Sequence, residues 1–276
     1  MKTVKEKTVL FLLAFSAAIL LLAFVAITLF IGVRGLSAIN FRMITTSIRK
    51  GGIFEPIIGT LYLLAGTIAI ATPLGLATAI YLAEYAPKGK INRIIVQALN
   101  NLAGVPSIIF GLFGYAFFCR FLGLGISLLS GWLTLTCMTL PIIVRGSQEA
   151  LKMVPKDFRV AAEALGTPKW KTIKDIVLPT ATPGLATSII LGISRVAGET
   201  AAILFTCSVF LTKSLPTSPL HPVMVLTYHL YTLLVASPGT SMDRAFAIAL
   251  ILLGLVILLN LLAYLIRMRY RRRWKW

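Results

Sequence analysis

Long stretches without charged side chains constrain this chain more than any other feature. A membrane-spanning helix needs about 20 consecutive apolar residues, and several runs exceed that length. Only 13% of the residues are charged, against about 25% in soluble domains. The sequence therefore predicts an all-α fold with six transmembrane helices. The runs are Thr8–Val33, Pro56–Ala83, Ile94–Cys119, Phe121–Val144, Ile176–Phe210 (interrupted only by Arg195 and Glu199) and Ala245–Ile266.

The first run follows three lysines and contains small residues, as secretion signals do. It is too long for that role, since the apolar part of a signal peptide covers about 7 to 15 residues. We therefore expect residues 1–35 to form a retained N-terminal transmembrane helix. Residues 51–270 are predicted to form the core, with five transmembrane helices and a polar loop at 145–180.

Most of the basic residues lie on one side of the predicted bundle. Of the 27 Lys and Arg residues, 19 lie in the N-terminal segment, residues 88–93, residues 145–174 and the tail 267–276. The positive-inside rule makes that side cytoplasmic and places both termini there. The net charge of +18 then indicates anionic lipid as its counterpart and predicts no nucleic-acid partner.

Motifs for catalysis and for metal or nucleotide binding are absent from the sequence. It contains no H-E-x-x-H, no G-x-S-x-G and no G-x-x-x-x-G-K-[ST], so a P-loop ATP site is excluded. Cys119, Cys137 and Cys207 are scattered without C-x-x-C spacing, which favours plain packing. The chain is therefore expected to be no enzyme, to have no catalytic or metal-binding residues and to bind no cofactor.

The loop that follows the fourth run is too long for a simple connection between helices. Apolar residues recur there at helical spacing, and Pro155 and Gly166 suit the first turn and the end of a short helix. Thr167 and Pro168 are predicted to begin a second helix that Pro179 interrupts or ends. The apolar positions are Val154, Phe158, Ala161, Ala162 and Leu165, with Lys156, Asp157, Arg159 and Glu163 on the other face.

This helix–glycine–helix segment resembles the coupling loop of ABC-importer permeases, with its pattern E-A-A-x3-G-x9-I-x-L-P. The resemblance implies that ATP and Mg bind to a separate ATPase. The family's glutamate falls on Val160 in this chain, so either Glu163 replaces it or the contact is apolar. The residues implied to contact the ATPase are Ala161, Ala162, Glu163, Gly166, Ile176, Leu178 and Pro179.

Residues 51–210 are similar to a narrower group, the phosphate-transporter permeases that work beside a sister permease. The similarity is carried by "GGIFEPIIGTLYLLAGTIAIATPLGLATAIYLAEYAPKGK", "LNNLAGVPSIIFGLFG" and "LGISRVAGETAAILFT". It implies a multi-pass protein of a prokaryotic inner or plasma membrane, forming half of a pore. The implied partners are the sister permease, two ATPase copies and an external phosphate-binding protein.

Arg195 and Glu199 interrupt the fifth run and are four residues apart, so they share a face if the run is one helix. A charged side chain inside the hydrocarbon layer of a membrane costs at least about 2.5 kcal/mol, and such residues commonly line a substrate path. An ion pair that stabilises the bundle is the alternative. If the pair lines a substrate path, Arg195 binds phosphate oxygens and Glu199 accepts a hydrogen bond from a P–OH group, which sulfate lacks. By resemblance, Arg145 is a second phosphate contact, although most arginines at a helix end only reach toward the interface.

Two other functions stay open at this stage. A permease for another oxyanion, such as molybdate, sulfate or phosphonate, fits the same pattern. A self-sufficient channel or ion-coupled carrier predicts inverted repeats and further intramembrane ion sites, and the two halves of this sequence show no convincing repeat.

Overall fold

The computed structural model describes residues 4–87, 89–212, 215–236 and 242–273. The expected contributions of Lys2, Lys88 and Lys275 to the charge pattern therefore lie outside the described residues. The helices in the described part are α1 Val4–Ala38, α2 Phe41–Thr45, α3 Phe54–Tyr85, α4 Lys90–Ala103, α5 Ser107–Phe121, α6 Leu128–Lys152, α7 Lys156–Ala164, α8 Lys169–Ala197, α9 Ala201–Thr206, α10 Leu226–Ala236 and α11 Met242–Arg273.

Five of these helices are long and apolar enough to cross a membrane, namely α1, α3, α6, α8 and α11. The successive helices α4 and α5 qualify together but are bent by 104°. The predicted all-α membrane fold is thus confirmed, with six spans if the bent pair counts as one. The expectation that Ile94–Cys119 is a single helix is wrong. The bend lies at Gly104–Pro106, where a proline cannot donate a backbone hydrogen bond.

Two further boundaries differ from those expected. The fourth span begins at Leu128, where the Ser127 side chain accepts a hydrogen bond from the Ser130 N–H, and it continues to Lys152. Arg145 therefore lies two turns inside α6, and the segment 145–180 is largely helical. The fifth run also breaks, because α8 ends at Ala197 and α9 starts at Ala201.

Close packing at glycines joins α3 to its neighbours. A Cβ added at Gly59 would lie 1.9 Å from the carbonyl oxygen of Met224, which precedes α10. Gly66 lies against the Trp132 indole of α6 in the same way, and that indole donates a hydrogen bond of 3.0 Å to the Tyr62 carbonyl. The glycines of α3 thus allow approach distances that no other side chain permits.

The N-terminal helix α1 stands apart from this core. None of its most apolar window is buried, and its contact with the bundle is made on α11, where Phe30 and Phe246 form an edge-to-face pair with ring centroids 5.4 Å apart. In a membrane, the exposed apolar surface of α1 faces lipid or another membrane chain.

Replacing Gly59 by alanine should destabilise the protein by about 1–3 kcal/mol, because the added methyl group overlaps a backbone oxygen that has no room to move. The matched control is Gly254→Ala in α11, where nothing lies within 4 Å of the added Cβ; it should leave stability unchanged or raise it by up to about 1 kcal/mol, because alanine favours a helix more than glycine does. Thermal unfolding of the detergent-solubilised variants measures both. Equal melting temperatures for the two variants would contradict the packing described here.

Candidate functional site

The helix–glycine–helix segment predicted from the sequence is present, and we call it the elbow: α7, the turn at 165–168 and the first turns of α8, together residues 156–179. Gly166 has a φ of +73°. Its N–H donates to Glu163 O at 2.9 Å, and the Thr167 N–H donates to Ala162 O at 3.0 Å. These two bonds form a Schellman motif, which ends a helix at a left-handed glycine.

The second arm of the elbow is not a separate short helix. α8 continues from Lys169 to Ala197, and Pro179 neither ends nor interrupts it. A π turn at Ile173–Val177 lies directly before that proline. Thr167 does not cap the helix either, since Pro168 precedes the first helical residue and no side chain caps it. The elbow's second arm and the fifth span are therefore one element.

The inner face of the elbow packs under the bundle. Ala162 is 3% exposed, and Phe158 packs against a buried cluster that includes Leu82 of α3, Leu151 of α6 and Val177 of α8. Ala161 and Glu163 are exposed. Ala161 thus does not share the buried face that its spacing predicted.

Arg159 departs furthest from the expected pattern, because its side chain turns inward. Its guanidinium donates to the carboxylate of Glu84 at the end of α3, with 2.6 Å between Nη2 and Oε1. It also donates to the carbonyl oxygens of Val154 and Leu151 at 2.9 and 3.0 Å. Glu84 was missed by the sequence analysis, although one signal was present: it is the acidic residue that directly ends the second charge-free run.

The outer face of the elbow is apolar and exposed. Leu165 is 84% exposed, Val160 62% and Trp170 58%. At the position where the importer pattern has a glutamate, this chain thus presents a valine to the outside. Exposed apolar side chains at this end of the bundle are typical of a surface that another protein covers.

Arg195 and Glu199 form an ion pair at the far end of α8. Arg195 Nη1 lies 2.5 Å from Glu199 Oε2. The two side chains differ in burial, since Arg195 is 41% exposed and Glu199 only 4%. Because α8 ends at Ala197, the two residues do not share one helix as expected; Glu199 lies in the break between α8 and α9.

Glu199 also closes that break. Its Oε1 accepts the N–H of Ala202 at 3.2 Å, and its carbonyl oxygen accepts the hydroxyl of Thr227 from α10 at 2.8 Å. Both carboxylate oxygens are engaged, so a P–OH group reaches this carboxylate only if the ion pair opens. The structure thus contains the Arg195–Glu199 ion pair that both interpretations require, and it leaves the Arg195 side chain partly accessible.

Arg145 lies on the same face of α6 as Met138, whose sulfur is 3.6 Å from Arg195 Nη2. Seven residues separate the two positions, which is two turns or about 10.5 Å along the helix. Arg145 lines a cavity of about 330 Å³ between α4 and α6, together with Val96, Leu99, Asn100, Gln148, Glu149 and Lys152. The structure therefore aligns Arg145 and Arg195 along one side of α6 without bringing them into contact.

Within the described ranges, no group of three or more His, Cys, Asp or Glu side chains is arranged to hold a metal ion. Cys119, Cys137 and Cys207 are free. The charged features that the sequence analysis singled out on the spans are therefore the Arg195–Glu199 pair and Arg145.

Comparison with protein families matches residues 71–275 to the family described as "Binding-protein-dependent transport system inner membrane component". The match begins within α3 and includes the elbow, both arginines and α11.

Two relatives and one solved structure illustrate the similarity. A probable ABC transporter permease of Bacillus subtilis is 38% identical over 69% of this chain and 66% of its own length. Phosphate transport system permease protein PstA 1 of Mycobacterium tuberculosis is 39% identical over 81% of this chain and 73% of its own length. The chain thus spans about two thirds of the first relative and nearly three quarters of the second.

The solved structure is a bacterial ABC transporter involved in the import of the acidic polysaccharide alginate. One of its chains is 15% identical to this one, with a TM-score of 0.71 over 96% of this chain and 97% of that chain. At this identity the likeness shows the fold alone, and it agrees with the arrangement of helices described above.

The left-handed Gly166 gives a test of the elbow. Gly166→Val should weaken the end of α7 by at least about 1–2 kcal/mol, because a β-branched residue is strained at positive φ. Gly166→Asn, the matched variant, should be tolerated, since asparagine visits that region more readily. Amide hydrogen exchange over residues 156–164 measures the difference, and equally fast exchange in both variants would contradict it.

Proposed function

Because the chain belongs to the binding-protein-dependent transport system inner membrane component family, whose members are permease subunits of ABC importers, we propose that it forms half of the translocation path of an inorganic phosphate importer. ATP hydrolysis takes place on separate ATPase chains, and this chain is the transport component. The elbow end of the bundle and both termini face the cytoplasm, where the basic segments lie.

The observation that carries this proposal is the guanidinium of Arg195, which is 41% exposed at the end of a membrane-spanning helix. A cation within a membrane span is costly unless it faces a cavity or a partner. Its planar fork suits oxyanions, because two parallel N–H groups bind two oxygens of one phosphate. The relatives named as phosphate transport permeases support phosphate as the anion.

Glu199 holds Arg195 in place before substrate arrives and takes part in selection afterwards. When phosphate oxygens occupy the guanidinium, Glu199 Oε2 loses its partner, because Arg195 is the group bonded to that oxygen. A P–OH group of phosphate then replaces the lost donor. Sulfate carries no proton at neutral pH and would leave a buried carboxylate unpaired, which is unfavourable. Arg145 receives the anion further along α6.

The exposed face of the elbow is the surface for the ATPase. Leu165, Val160 and Trp170 offer apolar area, so the contact is apolar at the position of the family's glutamate, and Glu163 lies beside it. A sister permease completes the pore, and an external phosphate-binding protein delivers the anion on the opposite side. ATP and Mg bind to the ATPase dimer.

Removal of the Arg195 cation should abolish transport. Arg195→Gln should lower phosphate uptake at least about 10-fold, since hydrogen bonds to charged groups contribute about 1.5–3 kcal/mol. Arg195→Lys should recover only part of it, because a lysine offers a point charge and no fork. The measurement is ATP-driven phosphate uptake by the reconstituted complex. Arg120→Gln, which removes an exposed arginine bonded to Tyr115 of its own helix, is the control, and wild-type uptake by Arg195→Gln would refute the role.

The apolar face of the elbow is tested by its retention of the ATPase. The double variant Leu165→Ser with Trp170→Ser should reduce the amount of ATPase that copurifies with the chain at least about 10-fold, since burial of such side chains contributes about 1.5–3 kcal/mol each. Ile91→Ser on α4 is the control, because Ile91 is 68% exposed and lies outside the elbow. Equal copurification in both variants would show that the ATPase binds elsewhere.

A further inference from the structure

Two consecutive residues at the end of α3 contact both arms of the elbow. Glu84 pairs with Arg159 of α7, and the ring of Tyr85 lies under Lys169 of α8, with Nζ 5.1 Å from the ring centroid. The end of α3 is therefore attached to the elbow on each side of its glycine turn. Glu84 and Tyr85 both lie in a π turn, Tyr81–Tyr85, a local widening that often accompanies functional positions.

Arg159 makes the stronger of the two attachments. All three of its nitrogens donate: Nε lies 3.2 Å from both Glu84 oxygens, Nη2 contacts Glu84 and the Leu151 carbonyl, and Nη1 contacts the Val154 carbonyl. One side chain of α7 is thus bonded to α3, to the last turn of α6 and to Val154, the second residue after α6. A lysine could not form this set, since its single ammonium lacks the fork.

The surroundings of the pair distinguish it from a surface ion pair. The Glu84 side chain is 7% exposed and that of Arg159 21%, and Leu82, Leu151, Val154 and Phe158 surround them in one apolar cluster. Low local polarity strengthens such hydrogen bonds and makes a broken one costly. The nearby pair Lys152–Glu149 is 52% and 66% exposed, and exposed pairs contribute little.

α7 has few other ways to be held at a fixed angle to the bundle. It is nine residues long, and Ala162 is its one fully buried residue. Apolar contacts such as those of Phe158 are not directional, so they permit α7 to rock over the cluster. The bonds of Arg159 have fixed directions, and α3 and α6, to which they run, form the most extensive helix contact in the bundle.

We propose that Arg159 is the positioning residue that transmits movement of α7 to α3 and α6, with Glu84 as its partner. The proposal rests on the proposed function, in which the outer face of α7 is bound by an ATPase. A displacement of α7 then pulls on the ends of two spans through directed bonds. Without Arg159, the ATPase still binds and hydrolyses ATP, but α7 rocks and the spans do not follow.

The test uses the full complex in liposomes, with the ATPase, the sister permease and the phosphate-binding protein. Phosphate molecules transported per ATP hydrolysed are compared for wild type, Arg159→Gln, Arg159→Lys and Arg120→Gln. We expect the ratio to fall about 10-fold or more in Arg159→Gln, to be intermediate in Arg159→Lys, and to stay at the wild-type value in Arg120→Gln, which removes an exposed arginine of α5 that is bonded to Tyr115 of the same helix. The amount of copurified ATPase should stay unchanged in all four.

A further variant distinguishes loss of the connection between α7 and the spans from the cost of leaving the Glu84 carboxylate buried without a partner. The double variant Glu84→Met with Arg159→Met removes both charges and keeps the volume and apolar packing. We expect its ratio to be as low as that of Arg159→Gln. If the double variant couples normally, or if Arg159→Gln does, Arg159 does not transmit movement and the proposal is overturned.

The remaining outcomes are also decisive. If Arg159→Gln loses ATPase binding in proportion to its loss of transport, Arg159 is a residue that docks the ATPase, and its proposed role as a positioning residue is overturned. If the wild-type chain itself retains no ATPase, the proposed function fails and this proposal fails with it. If wild type and Arg159→Gln transport the same number of phosphate molecules per ATP hydrolysed, only the present proposal is refuted and the proposed function stands.

Discussion

An apolar solvent requires every backbone N–H and C=O group to find its partner within the protein, so a helix that breaks inside the membrane must satisfy the freed groups locally. At the break between α8 and α9, Glu199 takes part in several such bonds, one of them from its own N–H to the carbonyl oxygen of Val196. Glu199 accepts the N–H of Ala202 with its carboxylate and the hydroxyl of Thr227 with its carbonyl oxygen. A buried carboxylate in turn needs a cation, which Arg195 supplies. The charge pair is thus a consequence of the break, and the exposed side of Arg195 is what remains available to an anion.

The same helix that carries Arg195 also forms the second arm of the elbow. Lys169 and Arg195 are 26 positions apart in one helix, which corresponds to about 39 Å along its axis. Pro179 ordinarily would kink such a helix, because its ring collides with the carbonyl four residues earlier. The π turn at Ile173–Val177 widens the backbone just there and gives the ring room. One helix, which also contains Pro183, therefore runs from the elbow to the candidate substrate cation.

Residue patterns in the sequence predicted the all-α membrane fold and the helix–glycine–helix segment, because charge-free length and a glycine turn are local properties. They did not predict where the helices break. A run such as Ile94–Cys119 has the same composition whether it is straight or bent by 104°, and only packing against α6 and α9 decides between the two. Arg159 was assigned to the solvent face for a related reason: its partner Glu84 is 75 residues away, and helical spacing carries no information about such a contact.

The elbow departs at three positions from the usual arrangement of an amphipathic helix, in which polar side chains face water. α7 buries the guanidinium of Arg159 against Glu84 and leaves Val160 and, just beyond its end, Leu165 exposed. Folding of this chain alone gains nothing from that exposure, since burial of each apolar side chain would contribute about 1.5–3 kcal/mol. In the proposed function, a partner covers these exposed side chains while the buried ion pair fixes the angle at which α7 presents them. The buried pair and the exposed apolar side chains would then serve one requirement, namely a binding surface that keeps its orientation relative to the bundle.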